Sequence, residues 1–293
     1  MSEEVVMVDV DDLGIDTANI RGGEWSHNEE FVQDIKKNKI NEPLIVRSAD
    51  PNSGVKYAIV CGSRRYNAAI EAGLKEVPCI IREMDDVTAM GRSIAENIYK
   101  ESAPAWRYAV KIGEMYERLN HKGKKEDVMQ IIMTKTGFSR TSVQNYLDIA
   151  GLPGEIIELM KEPEKRSEVV KELLKGMPMI GIDKVLSVEK AAKIARELKD
   201  FSLKKMFEVA TFVIHVSKET AFEIIERVKS YPKMPMEKLH EMVSKIPKGV
   251  RWTFYFGSHI VRALDEACIR KNMDKRRLVG FYVEDGLRRD GYL

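Results

Sequence analysis

The sequence predicts an α+β chain of more than one domain. A small α/β unit spans residues 1–100, an all-helical unit spans 101–246, and a strand followed by two helices spans 250–293. Three observations predict this. Short strand-like runs bounded by turn formers fill the stretch from Pro43 to Met84. Beyond Glu96 the apolar period changes to 3.6 and holds to about residue 246, broken only at prolines. After Ile246-Pro247-Lys248-Gly249, the residues Arg251 to Phe256 alternate with period two. At 293 residues the chain is ample for two or three cores.

Taken in order, Glu29 to Asn38 has helical spacing. Leu44-Ile45-Val46 and Tyr57 to Cys61 flank Asp50-Pro51-Asn52-Ser53-Gly54, a cluster of turn formers, which predicts a hairpin. After Gly62 a helix is expected over Arg64 to Ala72, with Tyr66, Ala69 and Ile70 on its apolar face and Gly73 as its stop. A strand over Val77 to Ile81 follows. In the helical unit, Asp127 to Thr136, Gly137-Phe138-Ser139 and Arg140 to Ile149 read as a helix-turn-helix at 127–149, capped by Ser139. Val128, Ile131, Ile132, Val143, Tyr146 and Leu147 are placed to pack the pair together. Two helices, His259 to Asn272 and Asp274 to Arg289, close the chain.

With 44% hydrophobic and 32% charged residues, the composition excludes a disordered or fibrous protein. Cys61, Cys79 and Cys268 are far apart with no C-x-x-C spacing, which excludes a cysteine zinc site and indicates a reducing compartment. The acidic start has no basic region, and the most apolar stretch, Val209 to Val216, is far shorter than the roughly 20 residues a membrane helix needs. No signal peptide or membrane anchor is expected, so the location expected is cytoplasmic. The net charge of +2 hides a gradient: −6 over residues 1–100 and +8 over 101–293.

The run Ala58 to Ala69 goes from strand through Gly62 to a helix whose first turn holds Arg64 and Arg65. That is the chemistry of an anion site: a glycine permits close backbone approach, free helix N–H groups point outward, and guanidinium groups add charge-assisted bonds. Taken alone, the two arginines also fit a solvated helix start.

This segment and its neighbours resemble the N-terminal domain of the ParB partition-protein family. Phe31 to Arg47 is similar to that family's opening helix and strand, ending in its proline-led step at Pro43-Leu44-Ile45-Val46-Arg47. Gly62-Ser63-Arg64-Arg65-Tyr66-Asn67-Ala68 resembles the G-E-R-R-x-R-A box. Ala72 to Pro78 follows at the family's spacing, and Ala95 to Lys100 resembles the E-N-x-Q-R box. The resemblance implies a clamp that binds cytidine triphosphate (CTP) and hydrolyses it weakly. It implies that Gly62, Ser63, Arg64 and Arg65 hold the triphosphate, that Asn97 faces a Mg2+ ion and that Glu96 is linked to hydrolysis. The chain departs from the pattern at Ser63, Asn67 and Tyr99-Lys100, and at Lys39, where the family's helix ends in glycine; whether this chain hydrolyses nucleotide is left open. Sulfiredoxins, on a related fold, carry their catalytic cysteine where Ser63 stands. Cys61, two residues earlier on the expected strand, reads as a small buried hydrophobe.

The helix-turn-helix and the following Leu152-Pro153-Gly154-Glu155-Ile156 also resemble ParB. This implies double-stranded DNA as partner, contacted by Ser139, Arg140, Thr141, Ser142, Gln144 and Asn145. The last segment resembles a ribbon-helix-helix module. With Trp252, Phe254 and Phe256 toward a core, Arg251, Thr253 and Tyr255 share the other face, and Lys275 and Arg276 start the last helix. A lone strand of this kind is stable only when paired, so a homodimer is expected. The expectation is a nucleotide-gated, sequence-specific DNA-binding partition protein for a plasmid or chromosome. The alternatives are a transcriptional regulator or nucleoid-associated protein of the same architecture, and a small-molecule kinase or reductase on the same N-terminal fold. A ParA-type ATPase is the family's partner, reached through a basic tail; here no Lys or Arg precedes Arg21.

Overall fold

The computed structural model describes residues 4–24, 27–98, 103–120, 125–175, 184–244, 258–271 and 275–289. The chain divides into two compact units, residues 1–245 and 246–293. Its first elements are β1 (Val6–Asp9), β2 (Leu13–Ile15), α1 (Glu29–Asn38), β3 (Leu44–Ser48), β4 (Tyr57–Cys61), α2 (Ser63–Glu71), β5 (Glu76–Ile81) and α3 (Asp86–Ile98).

The five strands form one sheet in the order β1-β5-β3-β4-β2. The expected hairpin is the antiparallel pair β3 and β4, with Val46 opposite Ile59. Strand β5 lies parallel to β3 on the other side. The edge strands β1 and β2 are additions to the sequence reading; β1 runs antiparallel to β5 and β2 parallel to β4. Helix α3 corrects that reading at its boundary. It starts at Asp86, well before the change of period at Glu96, because Asp85 accepts a hydrogen bond from the Thr88 N–H at 2.7 Å and so caps the first turn.

Two helix ends show how local chemistry sets the chain direction. At the end of α2, Gly73 has φ +74°, with Leu74 N–H donating to Ala69 O and Gly73 N–H donating to Ile70 O, both at 3.0 Å. These are the paired bonds of a Schellman stop, and glycine is the residue it favours. At the end of α1 the same role falls to Lys39, with φ +63° and ψ −168°. For a residue with a Cβ this conformation costs about 1–3 kcal/mol.

The helical part continues with α4 (Ala105–Asn120), α5 (Lys125–Thr136), α6 (Arg140–Ala150), α7 (Gly154–Glu158), α8 (Glu168–Lys175), α9 (Val188–Leu198), α10 (Leu203–Val213), α11 (Lys218–Ser230) and α12 (Met236–Ser244). Three successive helices start at serines, Ser187, Ser202 and Ser217, each accepting from the N–H three residues on. None of the described helices is long and apolar enough to cross a membrane.

One core lies between the sheet and α1 and α2, built on Leu44, Val46, Ile59, Ala68, Val77 and Cys79. A second runs from Ile20, Val60 and Cys61 through Met90 and Ile94 of α3 to Ile112, Val128, Ile132 and Val143 of the helical part, so apolar packing continues across residue 100. Within it the aromatic rings of Tyr108, Phe138 and Tyr146 meet at 5.1–5.8 Å and seat the turn between α5 and α6. Ile131, expected among the packing residues of α5, is instead 37% exposed; Val128 and Ile132 do the packing. A third core holds α6 to α12 together through Ile149, Ile156, Leu159, Ile194, Phe207, Ile224 and Leu239.

The second unit contains α13 (Ser258–Lys271) and α14 (Lys275–Arg289). The strand expected over 251–256, with Arg251, Thr253 and Tyr255, lies outside the described residues.

Close packing of α3 on α5 depends on Gly91. A Cβ there would sit 2.7 Å from Lys135 Cβ and 3.1 Å from its carbonyl oxygen, and the backbone cannot swing away as a side-chain end could. Gly91→Ala is therefore expected to destabilise the chain by about 1–3 kcal/mol, read as a lower urea midpoint at unchanged slope.

Candidate functional site

The site is built around the start of α2. Gly62 has φ +101°, and a Cβ on it would lie 2.5 Å from Leu44 Cδ2, so glycine is required to bring the chain from β4 into the helix. No side chain caps α2 and no acidic residue occupies its first turn, which leaves the positive end of the helix dipole uncompensated.

A cleft of about 360 Å³ opens here. Its lining includes all six residues singled out in two separate sequence motifs: Gly62, Ser63, Arg64 and Arg65 from the β4–α2 turn, and Glu96 and Asn97 from the end of α3. Phe31, Ile35 and Ile40 give it an apolar flank on the α1 side. The fold thus joins segments more than 30 residues apart on one surface.

The two box arginines have different surroundings. Arg64 lies over the Phe31 ring at 5.6 Å and makes no ion pair among the described residues. Arg65 is engaged: Nη1 donates to the carbonyls of Glu42 and Pro43, and its guanidinium pairs with Glu42 at 3.2 Å and with Glu96 at 3.4 Å. Ser63 is buried. Asn97, also buried, donates from Nδ2 to Ser93 O at 2.8 Å, and its Oδ1 accepts from Arg21 Nε at 2.9 Å.

Arg21 and Asn19 line the same cleft and were not found from the sequence. Asn19 Nδ2 donates to Ile59 O and Val60 O on β4, and the Ile20 N–H donates to Ser93 Oγ on α3. The loop is anchored further by Asp16, whose carboxylate accepts from Arg47 at 2.5 and 3.1 Å and from the Ala18 N–H at 2.8 Å. A signal was available: Gly22-Gly23 directly after Arg21, both with positive φ, marks a turn that fixes the arginine's position. Burial lowers the Arg21 pKa, as does the charge of Arg64 and, more weakly, of Arg107, while Glu96 opposes them.

Cys61 ends β4 behind this cleft. Burial, with the Glu96 carboxylate beside it, pushes its thiol up to about 12, and burial takes Cys79 to about 11. Both stay as thiols at neutral pH, which is the state of a core residue and not of a nucleophile.

The residues expected to meet DNA fall into two groups. Ser139 caps α6, accepting from the Ser142 N–H at 3.2 Å, and Ser139, Arg140 and Thr141 are exposed. Gln144 donates to Asp148 at 2.7 Å, and Asn145 accepts from Arg196 of α9 at 3.0 Å, so these two are tied into the packing of α6 on α9. Lys275 and Arg276 open α14 in the second unit.

Residues 1–98 match the family model described as the ParB N-terminal domain. Among curated relatives, the chain is 33% identical over 133 residues to a probable chromosome-partitioning protein ParB of Vibrio cholerae, covering 45% of this chain and 42% of that one. It is 29% identical to the chromosome-partitioning protein Spo0J of Thermus thermophilus over 184 residues, 58% of this chain and 61% of that one. The chain spans about half the length of the curated relatives it matches. Among solved structures it is similar to a C-terminally truncated ParB of Caulobacter crescentus complexed to the centromeric parS site, with 21% identity, 82% of this chain and 99% of that one covered, and a TM-score of 0.38. A truncated ParB of the same organism complexed with CTP-gamma-S matches at 23% identity over 72% of this chain and 99% of that one, with a TM-score of 0.29. The match across the sheet, the β4–α2 turn and α3 places residues 1–98, and with them the cleft, in the ParB N-terminal domain family.

Proposed function

We propose that this chain is a sequence-specific DNA-binding partition protein of the ParB type, acting in plasmid or chromosome segregation as a CTP-gated dimeric clamp. The observation that carries the proposal is the convergence of both boxes, Gly62 to Arg65 and Glu96-Asn97, on one cleft at an uncapped helix start. The names of the curated relatives, chromosome-partitioning proteins, support the cellular role.

In this reading the backbone of Gly62 and Ser63, the first turn of α2 and the Arg64 guanidinium hold the phosphates. Arg65, already bonded to the Glu42 and Pro43 carbonyls, keeps the 40–43 loop against α2 and so positions the cleft wall. Arg21, held on Asn97, adds a further guanidinium to the lining. Glu96 and Asn97 are the oxygen donors that would hold Mg2+, the phosphates supplying others; Asn97 Oδ1 here accepts from Arg21 Nε and Glu96 pairs with Arg65, so those contacts would give way to the ion. Bound there, the ion would neutralise phosphate charge. Glu96 is the residue assigned to hydrolysis, where hydrolysis occurs.

The helix-turn-helix at 127–149 is assigned to DNA, with Ser139, Arg140, Thr141 and Ser142 making the first contacts. Gln144 and Asn145 contribute once their bonds to Asp148 and Arg196 open. Residues 250–293 are assigned to dimerisation in ribbon-helix-helix manner, with Arg251, Thr253, Tyr255, Lys275 and Arg276 on the DNA side.

In a filter-binding assay the full chain should retain CTP, and Arg64→Ala should lose roughly tenfold or more in affinity, the scale of a charged hydrogen bond. Retention of ATP alone, or of no nucleotide, overturns the cytidine assignment. Sequencing of co-purified DNA with and without CTP should give a narrow peak at one site that broadens with nucleotide, and Arg140→Ala should flatten it. Against the reductase alternative, iodoacetamide at pH 8 should modify Cys268, which is partly exposed, and spare Cys61 and Cys79 in the native chain. Rapid native labelling of Cys61 would favour that alternative.

A further inference from the structure

A second cleft, of about 290 Å³, adjoins the first, and Arg21 and Arg64 line both. Beyond that shared wall it is lined by Arg107 of α4, Lys165 of the short turn after α7, His27 and Glu24. Its charges do not balance. The Glu24 carboxylate is taken by Arg107, and His27 sits between Glu71 at 2.8 Å and Glu29 at 3.2 Å, outside the count. Arg64 and Lys165 make no ion pair among the described residues, and the Arg21 Nε bonds only a neutral amide, that of Asn97. Three cationic groups, Arg21, Arg64 and Lys165, therefore line one pocket with no ion pair among the described residues. Burial and then the charge of Arg64 lower the Arg21 pKa, against the opposing charge of Glu96, and an anion between the two guanidinium groups would offset their repulsion. Apart from Pro104 its lining side chains are polar or charged, without an apolar flank like that of Phe31, Ile35 and Ile40 in the first cleft.

We propose that this second cleft binds a phosphate group, held by Arg21, Arg64 and Lys165. A phosphate carries up to two charges on several oxygens and so matches cations arriving from three directions, where a carboxylate offers two oxygens in one plane. The cleft rests on the nucleotide reading only for the source of that group: either the far end of a phosphate chain that starts in the first cleft and passes along Arg64, or free phosphate or pyrophosphate.

The test is calorimetric titration of the full chain with CTP, CMP and inorganic pyrophosphate, comparing wild type, Lys165→Glu and Lys165→Arg. Lys165 is exposed, so neither variant threatens folding. Lys165→Glu should weaken the bound phosphate species roughly fivefold or more and leave CMP unchanged, while Lys165→Arg keeps wild-type affinity. A loss confined to CTP identifies the nucleotide's own phosphate chain as the occupant, and a loss confined to pyrophosphate identifies a free anion. Pyrophosphate binding sensitive to Lys165→Glu in a chain that ignores CTP sustains the second cleft and sinks the nucleotide proposal. CTP and pyrophosphate affinities that are the same in wild type and Lys165→Glu, or absent in both, overturn the inference.

Discussion

The geometry of the cleft depends on one half-buried arginine. Arg47, on β3, sends Nε and Nη2 to the carboxylate of Asp16, which is 2% exposed, and Nη1 to the Met84 carbonyl and to Asp86. Those partners begin two different walls. Asp16 starts the loop that delivers Asn19 and Arg21, and Asp86 is the first residue of the helix that ends in Glu96 and Asn97. A planar guanidinium with fixed donor directions holds both at set distances from the sheet, which a lysine's single ammonium does not do. The hydrogen bonds that Arg47 donates to Asp16 and Asp86 raise its pKa against the opposing effect of burial, so the pairing outweighs the desolvation of the charge. With Asp16 this deeply buried, loss of either partner leaves an uncompensated charge and frees both walls together.

Helix α3 carries that constraint onward. Its end presents the second box to the cleft, while its middle, at Met90, Gly91 and Ile94, is buried in the core shared with α4, α5 and α6. The glycine at 91 allows the α5 backbone to approach, and Gly113 on α4 does the same for Ala150 at the end of α6. The result is close packing on both sides of the helical pair assigned to DNA. A displacement of α3 caused by a ligand at its C-terminal end would have to be accommodated by α5, because no side chain at Gly91 can yield in its place. In the nucleotide reading, this is the physical route by which the cleft and the helical unit would sense one another.

The sequence made most of this legible where period and punctuation agree. The hairpin, α1, α2 with its Gly73 stop and the α5–α6 pair all sit where alternation or 3.6 spacing meets a turn or cap residue. It failed where those signals are weak. Strand β1 buries only Val8, so Val6 and Met7 do not alternate with it, and β2 is three residues long with a glycine in the middle. Both are strands because they border a finished sheet, which is tertiary context and not local propensity. The six cleft residues were visible because they fall in two compact boxes, whereas Arg21 lies alone in a loop and reaches the cleft only through Asp16, Asn19 and Ser93. Lys39 shows the reverse: the sequence marks a place where the family uses glycine, and the backbone there adopts the positive φ that glycine would tolerate without strain.

Net charge turns out to be the wrong scale on which to read this chain. The first 100 residues carry −6, yet they enclose a cleft to which Arg21, Arg64 and Arg65 all contribute. The remainder carries +8, yet many of its lysines and arginines are already paired one turn away along the same helix, as in Lys111–Glu114, Lys171–Glu168, Lys205–Glu208 and Arg227–Glu223. Such pairs hold little stability and present little local field to a distant phosphate. What distinguishes Arg64 from those residues is the absence of an ion pair among the described residues, together with a helix start that no side chain caps. A cation that the fold leaves unbalanced is available to an incoming anion, whatever the sign of the domain around it, because at contact distance the nearest unpaired charges dominate over those a Debye length away.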